Sequence, residues 1–195
     1  MEKFSTYLSQ FHTFFTKQEI KAHYETFKKI NNVKKSFTTV FDALRKTHLT
    51  YLVQGHWALS KKDPVVLISD FLRYKNIPHY YGLHTAVYLN KRSWQTPAVF
   101  TIINTVFNQT RTVTGIRFRF MTFPSHLINE HTIISNDIPY SDPEKTVLDF
   151  LYKKIPPPLQ PEDMQKLALY ARLYNDRVRA DLIAFLPSEK RTHIK

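Results

Sequence analysis

The chain contains no cysteine, which excludes disulfides and thiolate-bound metals and fits a reducing compartment such as the cytoplasm. Only three glycines occur in 195 residues. Neither G-x-G-x-x-G nor G-K-[ST] is present, so a Gly-rich phosphate loop, and with it nucleotide hydrolysis, is not expected. Long apolar runs are missing too. No stretch approaches the roughly 18 apolar residues of a membrane span. Glu2, Lys3, Gln10 and His12 interrupt the stretch where a signal peptide would be continuously apolar. A soluble, cytoplasmic protein with no membrane partner is expected.

Acidic residues are scarce: 16 Asp and Glu face 28 Lys and Arg, for a net charge of +12 and a pI near 9.8. That excess favours polyanionic partners. It is concentrated early, because 11 Lys and Arg but only 4 Asp and Glu precede Asp63.

What is present in that basic region has an order. Thr16 can N-cap a helix starting Lys17-Gln18-Glu19, with Glu19 closing a capping box and Phe15 placed to pack near Ile20. A second helix is expected over Lys34 to Thr47, with Phe37, Val40, Phe41 and Leu44 at the i, i+3, i+4, i+7 spacing of one buried face. Lys34, Lys35, Ser36, Thr38 and Thr39 then remain as short polar or cationic side chains suited to phosphates and base edges. Thr50 to Val53 and His56 to Leu59 read as two short strands joined by Gln54-Gly55, a tight turn in which glycine takes positive φ. Helix, turn, helix and hairpin in this order predict a winged helix-turn-helix over residues 1–62. In it Lys34, Lys35, Ser36, Thr38 and Thr39 enter a major groove, while Gln54, His56, Lys61 and Lys62 meet the backbone or minor groove. One reading helix per chain predicts two copies on an inverted repeat of duplex DNA, as a homodimer in solution or only on the operator.

Lys61-Lys62-Asp63-Pro64 reads as a linker, and residues 63–195 as an α+β domain. Helices are expected over Val65 to Leu72 and Gly82 to Leu89. Strands follow at Pro97 to Ile103, at Gly115 to Phe120 with Ile116, Phe118 and Phe120 inward, and at Thr132 to Ile134 and Ile138 to Tyr140. Together these make a small mixed sheet of three to five strands. Asp142-Pro143-Glu144 opens a further helix by cap, N1 proline and acidic first turn. Stretches Met164 to Tyr174 and Asp176 to Phe185 complete a helical C-terminal cap.

Chemical sites find little support. Nine histidines occur, but none forms an i, i+4 pair; His79 with His84 and His126 with His131 are five apart, which suits no zinc motif. No metal site or cofactor is expected. Asp142, Glu144, Lys145 and Asp149 form the one acidic cluster with a lysine, and a metal-dependent nuclease is the corresponding alternative. The structural reading of the same residues is a capping Asp142, a Glu144 that complements the helix dipole, and an exposed Lys145–Asp149 pair. No G-x-S-x-G supports acyl transfer. A second alternative is single-stranded nucleic-acid or RNA binding, with Tyr80, Tyr81 and Tyr88 as stacking rings and Arg117 and Arg119 tracking the backbone.

With these residues placed, the chain resembles the AbiEi family of antitoxins, transcriptional regulators of bacterial and archaeal viral-defence systems. Gln54-Gly55-His56-Trp57-Ala58-Leu59-Ser60 is similar to the family wing Arg-Gly-x-Tyr-x-Leu-Ser, with Gln54 in place of its arginine and Trp57 in place of its tyrosine. His79 to Ala86 resembles its paired aromatics and small-residue helix, and Pro97 to Asn104 its first long strand. Ile138 to Asp149 resembles the segment in which Glu-Lys and a later Leu-Asp recur, with Thr146 where a small apolar residue is commoner. The likeness spans Thr16 to Tyr152. It implies repression of the protein's own toxin–antitoxin operon and opposition to a nucleotidyltransferase-like toxin without a stable complex between the two.

Overall fold

The computed structural model describes residues 2–59, 62–129 and 131–194. Lys61, one of the residues expected at a DNA backbone, and Ser60 lie outside them. The fold is mixed α+β, with eight α-helices and two sheets among the described residues. By internal contacts the chain divides into one unit of Met1–Phe71 with Val113–Gly115, and a second of Leu72–Thr112 with Ile116–Lys195.

The first unit runs α1 (Glu2–Leu8), β1 (Phe14–Thr16), α2 (Lys17–Asn31), α3 (Phe37–Thr47), β2 (Thr50–Tyr51), β3 (His56–Ala58) and most of α4 (Pro64–Tyr74). Its three strands pair antiparallel in the order β1-β3-β2, with Phe15 opposite Trp57 and Tyr51 opposite Trp57 from the other side. Strand β1 was not expected from sequence. The anticipated capping box at Thr16 is present: its hydroxyl accepts from the Glu19 N–H at 3.2 Å, and the Glu19 carboxylate accepts from the Thr16 N–H at 2.6 Å. Phe4, Leu8, Phe15, Ile20, Tyr24, Phe27, Val40, Phe41 and Leu44 form one core. The three inward positions expected beside Phe37 on α3 are therefore all buried.

Helix α4 starts where Asp63 and Pro64 placed it, and the Asp63 carboxylate accepts from the Val65 N–H at 2.8 Å. The division between units falls inside this helix, beyond the linker suggested by sequence. The physical reason is apolar: Val65, Leu67, Ile68 and Phe71 are buried, and Phe71 packs edge-on against Phe14 at 5.6 Å.

The second unit holds β4 (His79–Tyr81), α5 (His84–Leu89), β5 (Phe100–Asn104), all but the last residue of β6 (Gln109–Val113), β7 (Ile116–Thr122), β8 (Thr132–Ser135), β9 (Ile138–Ser141), α6 (Pro143–Tyr152), α7 (Met164–Ala171) and α8 (Asp176–Phe185). Six strands, more than the three to five expected, form one mixed sheet in the order β6-β7-β5-β4-β9-β8. β5 runs parallel to β7 and β4 parallel to β9, while β4–β5 and β8–β9 are antiparallel. Tyr80 and Tyr81 occupy central strand β4 and are fully buried, which removes them as stacking rings for a single strand. Tyr80 packs with Val147, Leu148, Tyr170 and Tyr174 in the core under α6, α7 and α8.

Candidate nucleic-acid interface

The presentation of the basic residues starts with how α2 ends. Asn32 takes a left-handed conformation, φ 50°, and its N–H closes on the Lys28 carbonyl, so the chain leaves the helix abruptly. Four residues later Ser36 is extended (φ −75°, ψ 156°) and caps α3, its hydroxyl accepting from the Thr39 N–H at 3.3 Å. Helix α3 therefore begins at Phe37, not at Lys34. Lys34 and Lys35 sit in the turn ahead of it because an N-cap requires extended backbone, and because the Lys35 carbonyl accepts a 2.6 Å hydrogen bond from the buried Tyr24 hydroxyl. Tyr24 is the residue that sequence reasoning missed. It was visible only as one more aromatic on the apolar face of α2.

All five expected reading residues, Lys34, Lys35, Ser36, Thr38 and Thr39, are exposed. Their chemistry is not equivalent. Among the described residues no ion pair engages Lys34 or Lys35, so both ammonium groups are available to an anion. The Ser36 and Thr39 hydroxyls bond each other at 2.9 Å across the cap, leaving part of their capacity free. Thr38 carries an exposed side chain with no such tie. Two cations and the N–H end of α3, whose first turn carries no acidic residue, thus share one small surface, an arrangement that attracts phosphate.

The hairpin differs in detail from its expected form. β2 ends at Tyr51 rather than Val53, and Leu52 and Val53, beyond its end, are buried. The turn itself is as expected: the His56 N–H bonds the Val53 carbonyl at 3.1 Å, and Gln54 (φ 50°) and Gly55 (φ 75°) both take positive φ, as in a type I′ turn. Gln54 is exposed at its tip. The half-buried His56 ring has its Nδ1 3.0 Å from the Gln54 carbonyl and its centre 5.2 Å from that of Phe71. Lys62 is held by Asp70 at 2.7 Å, so the positive charge expected for a DNA backbone is offset there.

The acidic cluster with a lysine in the second unit is not the exposed pair that sequence suggested. Lys145 and Asp149 are 1% and 0% exposed, with Nζ 3.8 Å from Oδ1. The Lys145 ammonium also donates to the Leu127 carbonyl and lies 4.8 Å from the Tyr80 ring centre. Asp149 accepts from the Tyr80 hydroxyl at 2.9 Å and the Tyr174 hydroxyl at 2.6 Å. Burial pushes its carboxyl above the ordinary aspartate range against the opposing pull of Lys145, Tyr174 and Tyr80. Asp142 caps α6 as expected, accepting from the Lys145 N–H at 2.8 Å, and also meets Tyr170 at 3.0 Å and Lys166 at 2.6 Å. Burial, then the charge of Asp142, pushes the Tyr170 phenol up to about 12. Glu144 accepts from the N–H groups of Glu162 and Asp163, each at 3.0 Å. These carboxylates are consumed by internal partners, and among the described residues no group of three or more His, Asp or Glu is placed to hold a metal ion. Nor is any helix among them long and apolar enough to cross a membrane.

No family model matches the chain, and no curated protein matches it. Among solved structures it is similar to the crystal structure of the RV2827C protein from Mycobacterium tuberculosis, at 13% identity over 97% of this chain and 69% of that chain, with a TM-score of 0.47.

Proposed function

We propose that this protein is a sequence-specific duplex DNA-binding regulator whose first unit is a winged helix-turn-helix. The observation that carries the reading is the joint exposure of Lys34, Lys35 and Thr38 at the start of α3, beside a hairpin closed by Gln54-Gly55. Support also comes from the succession α1-β1-α2-α3-β2-β3, with β3 central in its sheet: this order fixes α3 by its apolar face and leaves its N-terminal end to solvent. Lys34 and Lys35 are assigned to phosphates, and Thr38 and Thr39 to the groove. Gln54 is assigned to the backbone or minor groove, whereas His56 and Lys62 act in packing and ion pairing. Two copies on an inverted repeat follow from one reading helix per chain.

The likeness to AbiEi antitoxins extends the proposal to repression of the protein's own operon and to opposition of a nucleotidyltransferase-like toxin. Footprinting of the DNA upstream of the coding sequence tests the first half: protection of an inverted repeat is expected, and no protected site contradicts it. Co-expression with a nucleotidyltransferase-like protein from a neighbouring gene tests the second. Restored growth is expected, and continued toxicity contradicts it.

A further inference from the structure

Independently of the first unit, the second carries a cleft that the DNA-binding reading leaves unused. Its volume is about 810 Å³, within the range of roughly 300–1,000 Å³ typical of small-ligand sites. The floor is built from three neighbouring strands, with Thr110 from β6, Arg117 and Arg119 from β7 and Thr101 from β5. Strand alternation explains the charge. Phe118 and Phe120 turn into the core, so Arg117 and Arg119 both turn outward on the same side, about 6.5 Å apart along the strand. One wall is His84 and Val87 of α5 together with the segment that leads from Arg92 to β5.

No Asp or Glu lines this cleft. Arg92 is paired with Glu162. Among the described residues no ion pair or hydrogen bond engages the side chain of Arg117 or Arg119, so two like charges face one hollow without compensation. Guanidinium forks match phosphate oxygens bidentately. Trp94 lies in the wall segment between the lining residues Ser93 and Gln95 and is 94% exposed. The indole is not itself a lining residue, but an exposed ring in the segment that forms this wall suits stacking on a base.

We propose that this cleft binds a nucleotide phosphate, with Arg117 and Arg119 holding the phosphate and Trp94 stacking on the base. The ligand is a free nucleoside polyphosphate or the terminal nucleotide of a single strand, which share this chemistry. Side chains hold the phosphate here, consistent with a chain that lacks any Gly-rich loop.

The test is calorimetric titration of the intact protein with inorganic phosphate, with ATP and GTP, and with a short 5′-phosphorylated single strand. Saturable binding of a nucleotide or strand at least tenfold tighter than inorganic phosphate is expected. Tighter binding of the free nucleotide identifies the first source, and tighter binding of the strand the second. R117Q/R119Q weakens that binding at least tenfold with unchanged melting temperature, while W94A weakens nucleotide binding and leaves inorganic phosphate as it was. The proposal is overturned if no probe saturates, if inorganic phosphate binds as tightly as nucleotide, or if R117Q/R119Q weakens only duplex DNA.

Discussion

The Tyr24 hydroxyl on α2 donates to the Lys35 carbonyl at 2.6 Å, so a fully buried ring fixes the turn from which two exposed lysines project. One hydrogen bond therefore couples the core of the first unit to the geometry of its basic surface. Y24F keeps the ring's packing and removes that tie, at a cost of about 0.5–1.5 kcal/mol. A slightly lower melting temperature is expected, together with a loss of affinity for operator and random duplex alike, since the two lysines are assigned to phosphates. Unchanged affinity for both duplexes would show that the turn does not position them.

Lys34 and Lys35 are assigned to phosphates, Thr39 to the groove. Replacing one lysine by glutamine should lower affinity for every duplex and reduce the slope of log K against log salt by about 1. T39A is expected to weaken the selected site more than random sequence; it also removes a hydroxyl from the Ser36 cap, so the melting temperature must be followed in parallel. An unchanged ratio of the two affinities would exclude Thr39 from the reading surface.

At the hairpin, Gln54 holds φ 50° and Gly55 φ 75°. A side chain at Gly55 meets open space but not a favourable backbone region. G55A should therefore destabilise by about 1–3 kcal/mol through strain alone. Q54G should do the opposite, gaining some tenths of a kcal/mol, since glycine takes positive φ readily. Urea midpoints decide both; a G55A protein as stable as the parent would contradict the turn geometry.

The buried Lys145–Asp149 pair predicts an effect of a different size. K145M leaves a carboxylate with two phenols and no cation, and loss of one partner from a buried pair costs about 3–5 kcal/mol. Asp149 also gives a pH signature. Burial raises its carboxyl in the folded protein, so its contribution to stability is fully present below the ordinary aspartate pKa and is lost as pH rises through the raised value. Unfolding midpoints of parent and D149N should therefore diverge over that window, the parent losing stability relative to D149N as pH rises. Parallel curves would show that the carboxyl is not perturbed.

Local chemistry was legible in the sequence. The Thr16 capping box, the Asp142-Pro143 helix start, the Gln54-Gly55 turn and the alternation that exposes Arg117 and Arg119 each depend on a few adjacent residues. What escaped depends on distant partners. β1 is three residues long and exists by pairing with β3, and β6, Gln-Thr-Arg-Thr-Val, has little apolar content and exists by pairing with β7. Tyr80 and Tyr81 looked exposable because nothing local showed that β4 lies between β5 and β9. The spacing of Lys145 and Asp149 suggested a solvated pair, yet Val147, Leu148, Phe150 and Leu151 leave α6 apolar on nearly every side, the mark of a helix enclosed by its neighbours. At the candidate site, sequence found exposed residues but not their partners; only the fold shows His56 against Phe71 and Lys62 on Asp70.

In the proposed regulator the first residues of α3 read duplex sequence, and Lys34 and Lys35 of the turn ahead of them hold phosphates. The most direct measurement is the affinity of the intact protein for a duplex selected from a random library, compared with random duplex across a salt series. A preference on the order of a thousandfold or more is expected, with an affinity that falls steeply with salt as several phosphates are neutralised. Equal affinity for every duplex at every salt concentration would contradict it.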